Sequence, residues 1–212
     1  MNRSFVTCAL LAAGLATTAA PSHAFRMIQN TTVGRVSAGA AVACNAAGGF
    51  AHCNNLSISW FLNPTGQGAG KDVAVIAATS TWTAVGAAAH NLSYAGTTNA
   101  DFVTDGRNTI LWARGNGCSG TCLAITALVL QAGQVIVESD VSFNSRYTWN
   151  VGGTDYDTQA TLTHELGHSL GLHHTDVTST PRPTMYASYF GTTGRTLESD
   201  DTAALQCSDS RY

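Results

Sequence analysis

"THELGHSLGLHHTD", Thr163–Asp176, packs four histidines and one glutamate into fourteen residues. The chain holds seven histidines in all, so the density here is local. His164 and His168 are four apart, and four residues turn a helix through about 400°, so the two imidazoles share one face a turn apart. His174 follows His168 by six residues, which in a continued helix is about 9 Å further along the axis. Metal-bound nitrogens lie only about 2.0–2.1 Å from zinc, so a third ligand at His174 requires the chain to turn back. Gly171 stands where that turn is needed, and glycine tolerates the positive φ that ends helices. The stretch therefore contains a ligand and the hinge that delivers it.

Three neutral imidazoles at His164, His168 and His174 leave zinc a fourth position for water, as in catalytic sites. Zinc lowers the pKa of such a water towards ~7 and polarises a carbonyl. Glu165, beside the first ligand, is placed to take the water's proton and pass it to a departing amine. A lone H-E-x-x-H occurs by chance; the added glycine and third histidine make this a metal site. His173 matches no ligand spacing and reads as a neighbour of the site or a surface residue.

Outward from this stretch, "YDTQATLTHELGHSLGL" carries Leu162, Leu166 and Leu170 on one helical face. A second helix is expected from about Lys71 to His90, with Val75, Ala78, Trp82, Val85 and Ala89 as its buried stripe. "LSISWFLN", "NLSYAGTT" and "NTILWARG" read as strands, and "LAITALVLQAGQVIVESDVSFN" as two strands joined at Ala132-Gly133. "LESDDTAALQC" reads as a short C-terminal helix with Asp200 and Asp201 in its first turn. The pattern predicts one α+β domain: a mixed twisted sheet packed against two long helices plus a short C-terminal one.

The 212 residues suffice for one such domain, and only 11 % are charged, with a net charge of −3. No basic patch results, so nucleic acid is not an expected partner. Residues 1–24 read as a signal peptide: Arg3, then "FVTCALLAAGLA", then Ser22-His23-Ala24 as a cleavage site. That apolar run is too short to span a membrane. The expected location is therefore outside the cytoplasm, extracellular or periplasmic, and the alanine-rich leader suggests a bacterium. Residues 25–54, rich in Gly, Ala and Ser, read as an N-terminal arm or short pro-segment, and 55–212 as the catalytic domain. Export favours disulfides. Spacing suggests that Cys118 pairs with Cys122 and Cys44 with Cys53, with Cys207 as the leftover thiol.

The eleven residues His164–His174 resemble the zinc signature of the metzincin metalloproteases. Met185 in "PTMYASY" lies where metzincins place a methionine turn beneath the metal. Among them the chain is most similar to the matrixins, through "HELGHSLGLHHT", Met185-Tyr186, Tyr189 and "LESDD". The resemblance implies a secreted zinc endopeptidase, expected to be monomeric, acting on extended protein or peptide substrates. It implies a substrate pocket walled by Tyr186 and Tyr189, and an edge strand with Leu123 and Ala124 that pairs with substrate backbone. It also implies that Asp200 or Asp201 braces the methionine turn or meets an N-terminal ammonium. A matrixin structural zinc would need a histidine where this chain has Ser142, so one catalytic zinc is expected. Asp140 and Asn144 offer oxygen ligands that suit calcium. The alternatives are a zinc amidase acting on non-protein amides and a zinc-binding module without turnover; Glu165 argues against the latter.

Overall fold

The structure is a computed structural model that describes residues 26–29, 34–36, 40–43, 52–53, 57–85, 90–113, 118, 120–132 and 134–209. The leader expected over 1–24, with Cys8, and the side chains of Cys44 and Cys53 lie outside the described residues.

Chain order runs β1 (Arg26–Gln29), β2 (Gly34–Val36), β3 (Ala40–Val42), β4 (His52–Cys53), β5 (Ser57–Leu62), α1 (Asp72–Thr83), β6 (Asn91–Thr97) and β7 (Asn108–Ala113). It continues through β8 (Ala124–Gln131), β9 (Val135–Asn144), β10 (Trp149–Asn150), β11 (Tyr156–Asp157), α2 (Thr158–Ser169), β12 (Leu172–His173) and α3 (Ser199–Asp209). The main sheet has the order β2-β8-β9-β7-β5-β6, with β4 also pairing β9. Strands β6, β5, β7 and β9 are mutually parallel, whereas β8 runs antiparallel to β9. This is the expected α+β arrangement of a mixed sheet against helices.

Helices α1 and α2 bury their apolar stripes against the sheet and each other. Val75, Ala78, Trp82, Leu162, Leu166 and Leu170 are fully buried, and they share one core cluster with Trp60, Ile110 and Phe143 of the sheet. Trp82 donates its indole N–H to the Thr163 carbonyl, which locks α1 to α2. The first helix is shorter than its periodicity suggests, ending at Thr83 rather than near His90. The Thr83 hydroxyl donates to the Leu92 carbonyl and accepts from the Leu92 N–H, committing the chain to β6.

The N-terminal arm is woven into the domain. Strand β1 pairs with β12 and β3, and Met27 is wholly buried within the main core. Strand β2 pairs with β8 only at Leu128–Leu130. No described strand covers that edge at 124–127. Weak periodicity hid these strands, because segments of three or four residues are held by pairing rather than by a pattern of their own.

The cysteines need one correction. Cys118 and Cys122 are bonded as expected, but Cys207 is disulfide-bonded and is not a leftover thiol. Sequence spacing sees only local loops, and this bond is not local to α3.

Met27 supplies the sharpest test of whether the arm is structural. Met27→Ala should lower unfolding free energy by about 2–5 kcal/mol, the usual result of truncating a buried methionine. Urea denaturation of the chain from residue 25 onwards measures this, and an unchanged midpoint would show that the arm is a detachable segment.

Candidate metal centre and cleft

Helix α2 presents His164 and His168 on one face. Asp157 caps its start, accepting from the Ala160 N–H at 2.8 Å. The helix ends at Leu170, and Gly171 follows with φ +88°, the left-handed turn its position implies. Strand β12 then returns the chain, and Thr175 N–H donates to the Met185 carbonyl, which brings His174 back over the helix.

The three imidazoles converge. His174 Nε2 lies 3.2 Å from both His164 Nε2 and His168 Nε2. His164 Nδ1 lies 2.7 Å from the Thr184 carbonyl, and His168 Nδ1 2.7 Å from the Leu172 carbonyl. A carbonyl only accepts, so both Nδ1 atoms carry the proton and both Nε2 atoms point bare lone pairs at the common centre. His174 Nε2 stands 3.2 Å from each of these lone pairs, so the three nitrogens are spaced to share one cation. Two zinc–nitrogen bonds of tetrahedral geometry separate their nitrogens by about 3.3 Å, so the donor set fits zinc. Burial first, and the neighbouring imidazoles second, hold His168 well below the ordinary histidine range. The same causes bring His174 down to about 4. The protein thus favours neutral His168 and His174, the form a metal requires.

Met185 packs against α2 at Gly167. A Cβ on Gly167 would sit 2.3 Å from Met185 Sδ and 2.9 Å from the Trp82 ring, so the glycine between the two histidines is what lets the sulfur approach. Asp201 braces the turn. Its Oδ2 accepts from the Thr184 and Glu198 N–H groups at 2.8 Å, and its Oδ1 from the Met185 N–H at 3.0 Å. Because the Thr184 carbonyl accepts from His164, α3 is connected to a metal ligand through one residue.

Beside the histidines lies a cavity of about 690 Å³. His164, Glu165, His174 and all four expected pocket residues, Leu123, Ala124, Tyr186 and Tyr189, line it. Tyr156, Ala160, Phe190 and Gly194 complete the wall and were not singled out by sequence. Tyr189 Oη accepts from the Asp157 N–H at 2.8 Å, and Arg195 grips the Asp157 carboxylate, which pins the loop walling the cavity to the start of α2. The aspartate directly before the Thr-Gln-Ala start of the helix is a capping signal for Asp157. Nothing local pointed to Arg195.

Asp140 and Asn144, expected to suit calcium, have partners within the protein. Asp140 and Asn144 stand four residues apart on β9, about 13 Å along a strand. Asp140 accepts from Arg35 Nη2 at 2.7 Å and from the Thr109 N–H at 3.0 Å. Burial pushes its carboxyl up to about 6, against the pull of these donors. Asn144 binds the Cys122 carbonyl and the Arg146 N–H.

The matrixin family model matches residues 74–208, nearly two-thirds of the chain. The chain belongs to the matrixin family. It is accordingly a zinc metalloendopeptidase; matrixins use a catalytic zinc, and the cluster of His164, His168 and His174 could hold a metal ion. No match was found among curated proteins.

Gly167 offers a direct check on the matrixin turn. Gly167→Ala should cost about 1–3 kcal/mol through overpacking and loosen zinc. Thermal denaturation with and without a chelator reads both effects, and an unperturbed variant would mean that the sulfur does not press on the helix.

Proposed function

We propose that this matrixin is a secreted endopeptidase that cleaves extended protein segments with an apolar residue just after the scissile bond. The observation that carries the proposal is the placing of Glu165, His164 and His174 along one cavity that Leu123 and Ala124, at the start of β8, also line, with His168 converging on His174. His164, His168 and His174 would hold the zinc. Bound there, zinc supplies Lewis acidity that acidifies a water and polarises the carbonyl it meets.

The chain's own residues do the rest. The open backbone edge at 123–127 pairs with substrate in antiparallel fashion, holding it straight across the histidines. The Tyr156, Tyr186 and Phe190 side of the cavity receives the apolar side chain. Glu165 takes the proton of the attacking water and returns it to the departing amine. Glu165 is almost wholly buried, and burial pushes its carboxyl up, partly offset by His164 and by the Thr126 hydrogen bond. A raised carboxyl is suited to that double role. The leader over 1–24 directs export, the arm from residue 25 stays with the domain through β1, and the enzyme works as a monomer.

Glu165→Gln should retain one zinc per chain, because the glutamate is not a ligand, and lose about 10²–10⁴-fold in turnover. Metal analysis beside a casein-cleavage assay checks both halves. Near-normal turnover in Glu165→Gln would overturn the mechanism. Cleavage of a peptidoglycan preparation with casein left intact would point to a zinc amidase instead.

A further inference from the structure

Among the described residues, Thr126 is the one side chain outside α2 that hydrogen-bonds Glu165. Its Oγ1 lies 2.6 Å from Glu165 Oε2 and 3.0 Å from the Glu165 carbonyl oxygen, and both residues are buried. A hydroxyl has one hydrogen, and the shorter, charge-assisted contact to the carboxylate takes it. Oε1 has no hydrogen-bond partner among the described residues. The carboxylate therefore has one oxygen tethered and one available.

Thr126 sits on β8, the strand whose outer edge lines the cleft, with Ala124 and Leu128 on the same face. The hydrogen bond joins that edge to the base in a single step. A glutamate has several rotatable bonds, and a displacement of about 1 Å at a catalytic group can cost about 10²-fold in rate.

We propose that Thr126 is a positioning residue: its hydroxyl fixes the Glu165 carboxylate in the orientation that leaves Oε1 facing the reacting water. This rests on the endopeptidase reading above. Thr126 touches neither metal nor water itself. It acts by removing rotamers of Glu165 that aim away from the cleft, so its effect falls on the chemical step and not on substrate affinity.

Thr126→Val keeps the volume and β-propensity and removes the hydroxyl; Thr126→Ser keeps the hydroxyl. With the full-length secreted enzyme and a quenched-fluorescence peptide, kcat of Thr126→Val should fall about ten- to hundredfold while KM stays within about twofold. Zinc should remain at one per chain and the melting temperature should shift equally little in both variants. Thr126→Ser should recover most of kcat. Calorimetric binding of a phosphinic peptide, which mimics the attacked carbonyl and meets Glu165, should weaken in Thr126→Val by a factor similar to that in kcat/KM. Wild-type kcat in Thr126→Val, or a Thr126→Ser variant as slow as Thr126→Val, would overturn the inference. So would unchanged phosphinic-peptide affinity. If the wild-type enzyme cleaved no peptide, the reading of function would fall instead, and the binding comparison alone would then decide the role of Thr126.

Discussion

Three histidine nitrogens converge, with His174 Nε2 3.2 Å from the bare Nε2 lone pairs of His164 and His168, a spacing that fits one shared zinc ion. That constraint organises the molecule. The fold must supply carbonyl acceptors that fix the tautomers, a turn that returns His174, and a floor that keeps the rings from splaying. Backbone meets the first two requirements, and one buried side chain meets the third. Thr184 and Leu172 offer carbonyls, Gly171 offers the left-handed turn, and Met185 fills the space under Gly167.

These supports are themselves supported. Asp201 ties three backbone N–H groups together, and two of them belong to the methionine turn. Its bond to the Glu198 N–H is half of a capping box, so the start of α3 and the floor of the metal centre share one carboxylate. Ligand-orienting partners of this kind matter nearly as much as the ligands. On the other side, β1 pairs with β12 immediately before His174, and the Ile28 N–H donates to the Gly171 carbonyl at 2.8 Å. The segment that sequence left as an arm thus holds the loop carrying the third ligand.

What was legible in the sequence followed from spacing. The helical period placed His164 and His168 together, the distance to His174 demanded a turn, and only Gly171 could make it. The buried stripes of α1 and α2 were legible for the same reason. Pairing was not: β1, β2 and β3 have too few residues for periodicity, and their partners are far away in the chain. The disulfide of Cys207 failed by the same logic, because loop spacing says nothing of distant contacts. Asp140 carried the right chemistry for a cation, but an arginine from β2 occupies it, and that strand was invisible. Thr126 gave no signal whatever, being an ordinary strand threonine until α2 packs against it.

The cleft joins these layers. Ala124 of β8, Glu165, His164 and His174 line one cavity, and among the described residues β2 pairs with β8 only at Leu128–Leu130. The account stands or falls on the coordination of the metal. X-ray absorption at the zinc edge of the loaded, wild-type protein measures it directly. The account predicts three imidazole nitrogens at about 2.0–2.1 Å and one further oxygen. A sulfur shell at about 2.3 Å, or fewer than three imidazoles, would contradict it.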